Sequence, residues 1–424
     1  MLYYRLIRPF ARIAIRTFYK KIYLTGLENY PADKPVIFAL NHPTAFVEPC
    51  ILATTLPEEL HFLVRGDFFR QPLHNNLLRG FGCLPVFRMK DGGYGGLKNN
   101  YDTFEVTFKT LRAGEPIVIL AEGTTVHEKR LRPLKKGTAR LAFGTMERYG
   151  AETDVHIVPV GVNYTYAEQF RSEVMIEFNR PVRAADYWES YRDNNARGIK
   201  ELTDELRTRL EEKVIIIEDE EDEDLVEKQL ILSRNGKPRP VLPILSGKGY
   251  RFKAEKRIAD TVNQLSESEK IEKSTAVNVY FNRLKQLKIS DIGMVRAHRY
   301  GLGQRLLLWI GFLPAAAGYL LNSPPLLLTG YIGKNKVKYI EFQAPVMITV
   351  GIVAWLLWWT LLLLTGILLK NALLILTAVM MPLLGWFSLV YREFSYSFRE
   401  AKKAEKIPEK EMENLLNLRQ EILL

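Results

Sequence analysis

The last third of the chain is its strongest constraint. Positions 343–369 run for 27 residues without a charged side chain, and 371–391 for another 21, with only Lys370 between them. A bilayer core takes about 20 apolar residues in a helix, and the buried helices of soluble proteins rarely stay uncharged for so long. Two transmembrane helices are therefore expected within 342–393. A third uncharged block, 306–333, is interrupted by Asn322-Ser323-Pro324-Pro325. Neither proline can donate an N–H, and each disfavours the α region for the residue before it. Residues 301–341 are thus expected to form two short legs of a re-entrant membrane hairpin. Arg299 and Arg305 precede the block, and Lys334, Lys336 and Lys338 follow it. Positive residues favour the cytoplasm, so both ends and the charged tail 394–424 are expected there. Three simple crossings are the alternative, and they would leave those lysines outside.

The net charge of +11 raises the possibility of a nucleic-acid partner. No nucleic-acid module is recognisable, however, and the basic residues flank apolar segments, which fits an anionic lipid surface. Two cysteines, Cys50 and Cys83, are too few for a disulfide framework and point to a reducing compartment. The first segment is charged throughout, so no cleavable signal peptide is expected. Within residues 1–28, the opening MLYYRLIRPFARIAIRTFYKK has no acidic residue, and Arg5, Arg8, Arg12 and Arg16 share one helical face. Leu2, Leu6, Ile7, Phe10, Ile13, Ala14 and Phe18 occupy much of the remainder. This reads as an amphipathic helix in the headgroup layer with its arginines towards phosphates, or else as one packed on its own domain.

Residues 29–195 alternate β-branched runs (35–40, 116–121, 156–164, 174–178) with helical patterns (99–112, 138–149). This predicts an α/β domain, a mixed and largely parallel sheet flanked by helices. Residues 196–300 form a charged helical connector. It carries seven consecutive acids at 218–224, expected to be solvated, and a Gly/Pro-rich interruption at 235–249.

The chemistry concentrates in NHPTAFVEPC, 41–50. Pro43 keeps His42 extended at the end of the first buried strand, and a helix is expected to start at Pro43. The carboxyl edge of such a sheet is where ligands bind. Glu48, on the first turns of that helix, can fold back on the imidazole. A carboxylate on one ring nitrogen fixes the tautomer and leaves the other nitrogen as a base. Later strand ends add company: Arg88 closes GFGCLPVFR, and Glu122-Gly123-Thr124-Thr125 follows ILA, with Lys135 and Lys136 beyond. Gly123 admits a close ligand approach, the threonines offer hydroxyls, and Arg88 can grip a phosphate with two parallel bonds. No histidine or cysteine spacing suggests a metal site, and no Gly-x-Ser-x-Gly elbow suggests a serine hydrolase.

Four blocks in this order, NHPTAFVEP, GCLPVFR, AEGTT and VPVG over about 35–185, resemble the glycerol-phosphate and lysophosphatidic-acid acyltransferases of phospholipid synthesis. The resemblance implies the glycerolipid acyltransferase fold, with His42 as the base that deprotonates an acceptor hydroxyl and Glu48 as its orienting acid. It further implies acceptor binding by Arg88, Glu122, Gly123, Thr124 and Thr125, with Lys135 at the family's basic position. No cofactor is implied beyond an acyl-CoA or acyl carrier protein as co-substrate, and membrane lipids are the expected partners. The family has four residues between the histidine and an aspartate. Here five precede a glutamate, as in a branch with extra C-terminal membrane segments. Acylation of another lyso-lipid, such as one with an amino-acid headgroup, and an inactive scaffold of the same fold are the competing readings. The expected location is an integral membrane protein with its catalytic domain facing the cytoplasm.

Overall fold

The structure is a computed structural model that describes residues 1–86, 104–236 and 242–424. Arg88 lies outside the described residues. Two compact units emerge. One comprises 1–215 with 244–251 and 337–348, and the other comprises 216–243, 252–336 and 349–424.

The first unit is built on a nine-stranded sheet of order β4-β3-β5-β2-β6-β7-β1-β9, with β8 paired to β6. The strands are β1 (Lys21–Thr25), β2 (Val36–Leu40), β3 (His61–Arg65), β4 (Cys83–Val86), β5 (Ile117–Leu120), β6 (His156–Tyr164), β7 (Glu173–Phe178), β8 (Val182–Arg183) and β9 (Leu245–Ser246). β6 runs antiparallel to β7 and β8, and every other pairing is parallel. The sheet is thus mixed and mostly parallel, as the β-branched runs predict. β2 shows why it needs cover on both faces. All five of its residues are fully buried, and alternate residues point to opposite faces. Val36, Phe38 and Leu40 join one core, with α1 (Leu2–Phe18) and α2 (Val47–Thr55). Ile37 and Ala39 join the other, with α5 (Gly137–Tyr149) and α7 (Asn195–Glu211). The shorter helices are α3 (Pro72–Gly80), α4 over residues 104–112, and α6 (Trp188–Asp193).

α1 departs from the expected arrangement. Arg8 and Arg12 turn inward, and Arg5 engages a carboxylate of its own domain at the surface. Arg8 donates to the carbonyls of Leu56 and Pro57, Arg12 donates to Thr54 O at 2.8 Å, and Arg5 pairs with Glu59. Those carbonyls close α2, where a helix has no further N–H to meet them and the dipole favours cations. The outward face is the apolar one: Leu2, Leu6, Ile7, Phe10 and Ile13 are exposed.

The second unit contains α8 (Glu223–Gly236), α10 (Glu267–Gln286), α11 (Asp291–Arg296), α12 (Leu302–Asn335) and the body of α13 (Gln343–Leu368), with α14 (Ala372–Ala404) and α15 (Glu409–Ile422). α9 (Tyr250–Asn263) begins in the first unit and continues here. The acidic run is exposed as expected, except for Asp222. It opens α8, where the positive helix end favours carboxylates, and Asp222 is buried on Lys270 at 2.7 Å.

Among the described residues three helices are long and apolar enough to cross a membrane, α12 and α14 among them, with the third spanning Ile340–Leu368. α12 is helical throughout, so Pro324 and Pro325 do not break it as expected. Each proline leaves the carbonyl four residues back without its usual N–H, and other donors replace it. Ser323 Oγ donates to Leu320 O at 2.8 Å, and Trp358 Nε1 donates to Leu321 O at 2.9 Å. Pro382 in α14 is treated likewise, with Trp359 Nε1 on Ala378 O at 2.9 Å. The contacts of α12 nonetheless run out and back. Its first leg descends α14: Tyr391 donates to Leu308 O, Gly318 lies against Leu384, and Asn322 donates to Met381 O. Its second leg returns along α13, from Leu321 at Trp358 to Thr329 at Gly351. At 1.5 Å per residue the bend lies about 15 Å from the α13–α14 turn, near half the depth of a bilayer core. Both ends of α12 therefore approach the same end of the hairpin.

Candidate active site

The site forms where β2 and β5 end side by side. Beyond Leu40 the two chains stay in contact: Ala121 N–H donates to Leu40 O at 2.8 Å and Val126 N–H to His42 O at 3.4 Å. Asn41 anchors the exit from β2 to the neighbouring strand. Its amide donates to Val162 O at 3.0 Å and accepts from Val162 N–H at 2.7 Å.

His42 follows. Glu122 accepts its backbone N–H at 2.8 Å with one oxygen, and takes Arg132 N–H at 3.3 Å with the other. Burial raises the Glu122 carboxyl above its ordinary range against the pull of those two N–H groups. Both oxygens are thus engaged by backbone, which makes Glu122 a brace for His42.

The helix does not begin at Pro43. Residues 43–46 form an irregular turn and α2 starts at Val47. The N–H groups that would start a helix earlier are bonded elsewhere. Thr44 N–H goes to Glu48 Oε1 at 2.7 Å, and Ala45 N–H goes to Glu341 O at 3.1 Å. The Thr44 hydroxyl then accepts Val47 N–H at 3.2 Å, as side-chain oxygens do at helix starts.

Glu48 on the first turn is completely buried. Tyr164, at the end of β6, lies 3.5 Å from its Oε1. Burial, then the charge of Glu48, pushes the Tyr164 phenol well above its ordinary value, so it stays a donor. The other oxygen, Oε2, faces His42 Nδ1 at 3.8 Å, and neither atom has a hydrogen-bond partner among the described residues. Two buried polar atoms left facing each other favour closure to a full bond, since an unmade bond costs about 1–3 kcal/mol. Catalytic contacts are often long before substrate binds. The far side of the ring is occupied, with His42 Nε2 2.6 Å from Thr125 Oγ1.

The expected residues sort clearly. His42, Glu48, Glu122 and Thr125 meet at one place. Gly123 adopts φ +68°, and a side chain there would press on the stem of Lys135. The Lys135 N–H is fixed to Ala121 O at 2.8 Å. Thr124 is exposed. Sequence reasoning missed Asn41, Thr44 and Tyr164. Asn41 and Thr44 lie in the quoted stretch and could have been weighed as anchor and cap, whereas nothing local marks Tyr164. Among the described residues no cluster of three metal-ligating side chains occurs.

His42 facing a buried carboxylate, at the carboxyl ends of parallel strands and beside a Glu-Gly-Thr turn, is the arrangement the acyltransferase resemblance implies. Residues 21–163 match the family described as Acyltransferase, and the chain is similar to glycerol-3-phosphate and 1-acyl-sn-glycerol-3-phosphate acyltransferases. Glycerol-3-phosphate O-acyltransferase 1 of Saccharomyces cerevisiae is 26% identical over 248 residues, covering 54% of this chain and 31% of that protein. The chloroplastic 1-acyl-sn-glycerol-3-phosphate acyltransferase BAT2 of Brassica napus is 28% identical over 151 residues, 35% of this chain and 39% of that one. The chain thus spans a minority of either relative's length. Among solved structures, the acyltransferase PlsC of Thermotoga maritima is similar at 18% identity, with a TM-score of 0.36 covering 49% of this chain and 78% of that one.

Proposed function

We propose that this chain is a membrane-bound O-acyltransferase. It moves a fatty acyl group from a thioester, on coenzyme A or an acyl carrier protein, to a hydroxyl of glycerol-3-phosphate or lysophosphatidate. One observation carries the reading: His42 Nε2 already holds a hydroxyl oxygen at 2.6 Å while Nδ1 faces a fully buried carboxylate. Glu48 takes Nδ1–H and stabilises the imidazolium. Nε2 receives the acceptor proton as the alkoxide oxygen attacks the thioester carbonyl, and returns it to the departing thiolate. A positioned base of this kind contributes typically 10²–10⁴-fold. Lys135 and Arg88 supply cationic partners for the acceptor phosphate, and the Gly123 turn lets backbone approach it.

The same reading places the chain in the membrane through α12–α14, with the exposed apolar face of α1 in the headgroup layer and its arginines clamping α2. The out-and-back path of α12 keeps Arg305 and Lys336 on one side, which their charge assigns to the cytoplasm.

The test uses the purified full chain, a labelled acyl thioester, and a panel of glycerol-3-phosphate, lysophosphatidate and an amino-acid lyso-lipid. Transfer to a phosphate-bearing acceptor, lost in His42→Ala, supports the reading. Full transfer in His42→Ala removes His42 as base, and acylation of no acceptor favours a scaffold.

A further inference from the structure

We propose that Thr125 caps the base: its hydroxyl holds the acceptor's place on His42 and so keeps water from hydrolysing the acyl donor. The inference rests on His42 being the base.

The Thr125 oxygen stands at full hydrogen-bond distance, 2.6 Å, from Nε2. A neutral imidazole offers one in-plane lone pair at that nitrogen, so it accepts one hydroxyl at a time. A reacting alcohol must come within about 2.6–3.2 Å of the same atom. The acceptor and Thr125 therefore compete for one position, and acceptor binding requires the threonine to turn away. The surroundings suit an exchange confined to this side chain. Its loop is pinned on either side, by Gly123 N–H on Leu120 O at 3.0 Å and by Val126 N–H on His42 O. His42 itself is held through Glu122. Threonine has two heavy atoms on Cβ and sits in discrete χ1 wells. One step between wells withdraws the hydroxyl without moving the pinned backbone.

The consequence is selectivity between nucleophiles. Any molecule with an O–H that reaches Nε2 is activated. If water does so, its proton passes to Nε2, its oxygen adds to the thioester carbonyl, and the products are free fatty acid and thiol. Bulk water is abundant, whereas the acceptor brings anchoring groups that help it displace the cap. Thr125 thus acts as a positioning residue that leaves the base covered until an anchored alcohol arrives.

The experiment follows palmitoyl-coenzyme A hydrolysis by the full chain in detergent without acceptor, and the hydrolysis-to-transfer ratio with it. Thr125→Val keeps the shape and removes the hydroxyl, and Thr125→Ser keeps the hydroxyl. Thr125→Ala is a second deletion should the valine fold poorly. Expected is a rise of at least fivefold in acceptor-free hydrolysis for the valine or alanine variant, a wild-type rate for serine, and loss of the gain when His42→Ala is added. Unchanged or reduced hydrolysis in the folded deletion variants overturns the cap. So does a palmitoyl group recovered covalently on Thr125, which would make it a nucleophile. A gain that persists with His42→Ala removes the base reading itself.

Discussion

Replacing Glu48 by glutamine tests the catalytic geometry most directly, because it removes the charge and keeps the volume. Glu48 makes two kinds of contact. Oε1 supports the turn through Thr44 N–H, and a glutamine carbonyl can still do that. Oε2 faces Nδ1 of His42 from a site closed to solvent. Opposite unit charges 3.8 Å apart attract by about 4 kcal/mol at an effective dielectric of about 20. This attraction exists only once the ring has taken the acceptor proton, so it belongs to the transition state and its loss falls on kcat. At 1.36 kcal/mol per decade the expected loss is about a thousandfold, with the acceptor KM changed by less than about threefold. Aspartate sets the carboxylate back by about one methylene, roughly 1.5 Å, which reduces the attraction by about 1 kcal/mol and predicts only a five- to tenfold loss. Steady-state transfer assays on both variants, with thermal melts to confirm folding, decide the matter. If Glu48→Gln, properly folded, stays within tenfold of the parent kcat, the carboxylate does not serve the imidazole and the role assigned to it is wrong.

Other expectations follow from the same contacts. Trp358→Phe leaves Leu321 O without its donor, so the melting midpoint in detergent should fall by the equivalent of about 1 kcal/mol, whereas an unchanged midpoint would mean the freed carbonyl needs no partner. Single cysteines at Leu302 and Lys336, in a background without Cys50 and Cys83, should react with an impermeant maleimide from the same face of sealed vesicles, and labelling from opposite faces would show that α12 crosses. The Glu122 carboxyl is raised in the fold, so its ionised form is penalised there. The folded state therefore gains relative stability as pH falls through that raised value, and the gain is complete below the ordinary glutamate range. Denaturation midpoints of the parent minus those of Glu122→Gln should increase from pH 7 towards 5, and a flat difference would contradict the assignment.

Much of the frame was legible because it follows from local periodicity. The apolar runs at 35–40, 116–121, 156–164 and 174–178 became β2, β5, β6 and β7, since a strand buried on both faces has to be apolar throughout. β3 was missed because HFLVR mixes polar and apolar residues on a half-exposed strand. β9 was missed because two residues carry no period. The arginine face of α1 was legible, but its direction was not. A helical stripe states which residues point together, and only the carbonyls at the end of α2 determine what they point at. The same limit applied at the double proline. Its effect on helix bonding was readable, whereas the tryptophan that compensates lies 37 residues away on another helix.

The turn at 43–46 shows why sequence spacing alone could not settle the role of a glutamate at this position. Inside one helix, residues six apart point about 240° from each other, so the His42–Glu48 contact depends on residues 43–46 staying out of the helix. Three successive constraints hold them out. Glu122 takes the N–H of His42, Glu48 itself takes that of Thr44, and the carbonyl of Glu341 takes that of Ala45. Two of the three come from residues at least 80 positions distant. Glu48 therefore both braces the turn and faces the ring, one oxygen for each. The longer side chain follows from this double use: with one more residue in the turn, the carboxylate has farther to reach. Glu341 lies just before the start of α13 at Gln343, so the turn that carries His42 is fastened to that segment. Ala45→Pro, which removes the N–H that the Glu341 carbonyl accepts, should lower kcat while leaving the buried sheet, and hence the melting midpoint of the domain, nearly unchanged, and an unaltered kcat would show that this bond does not hold the turn.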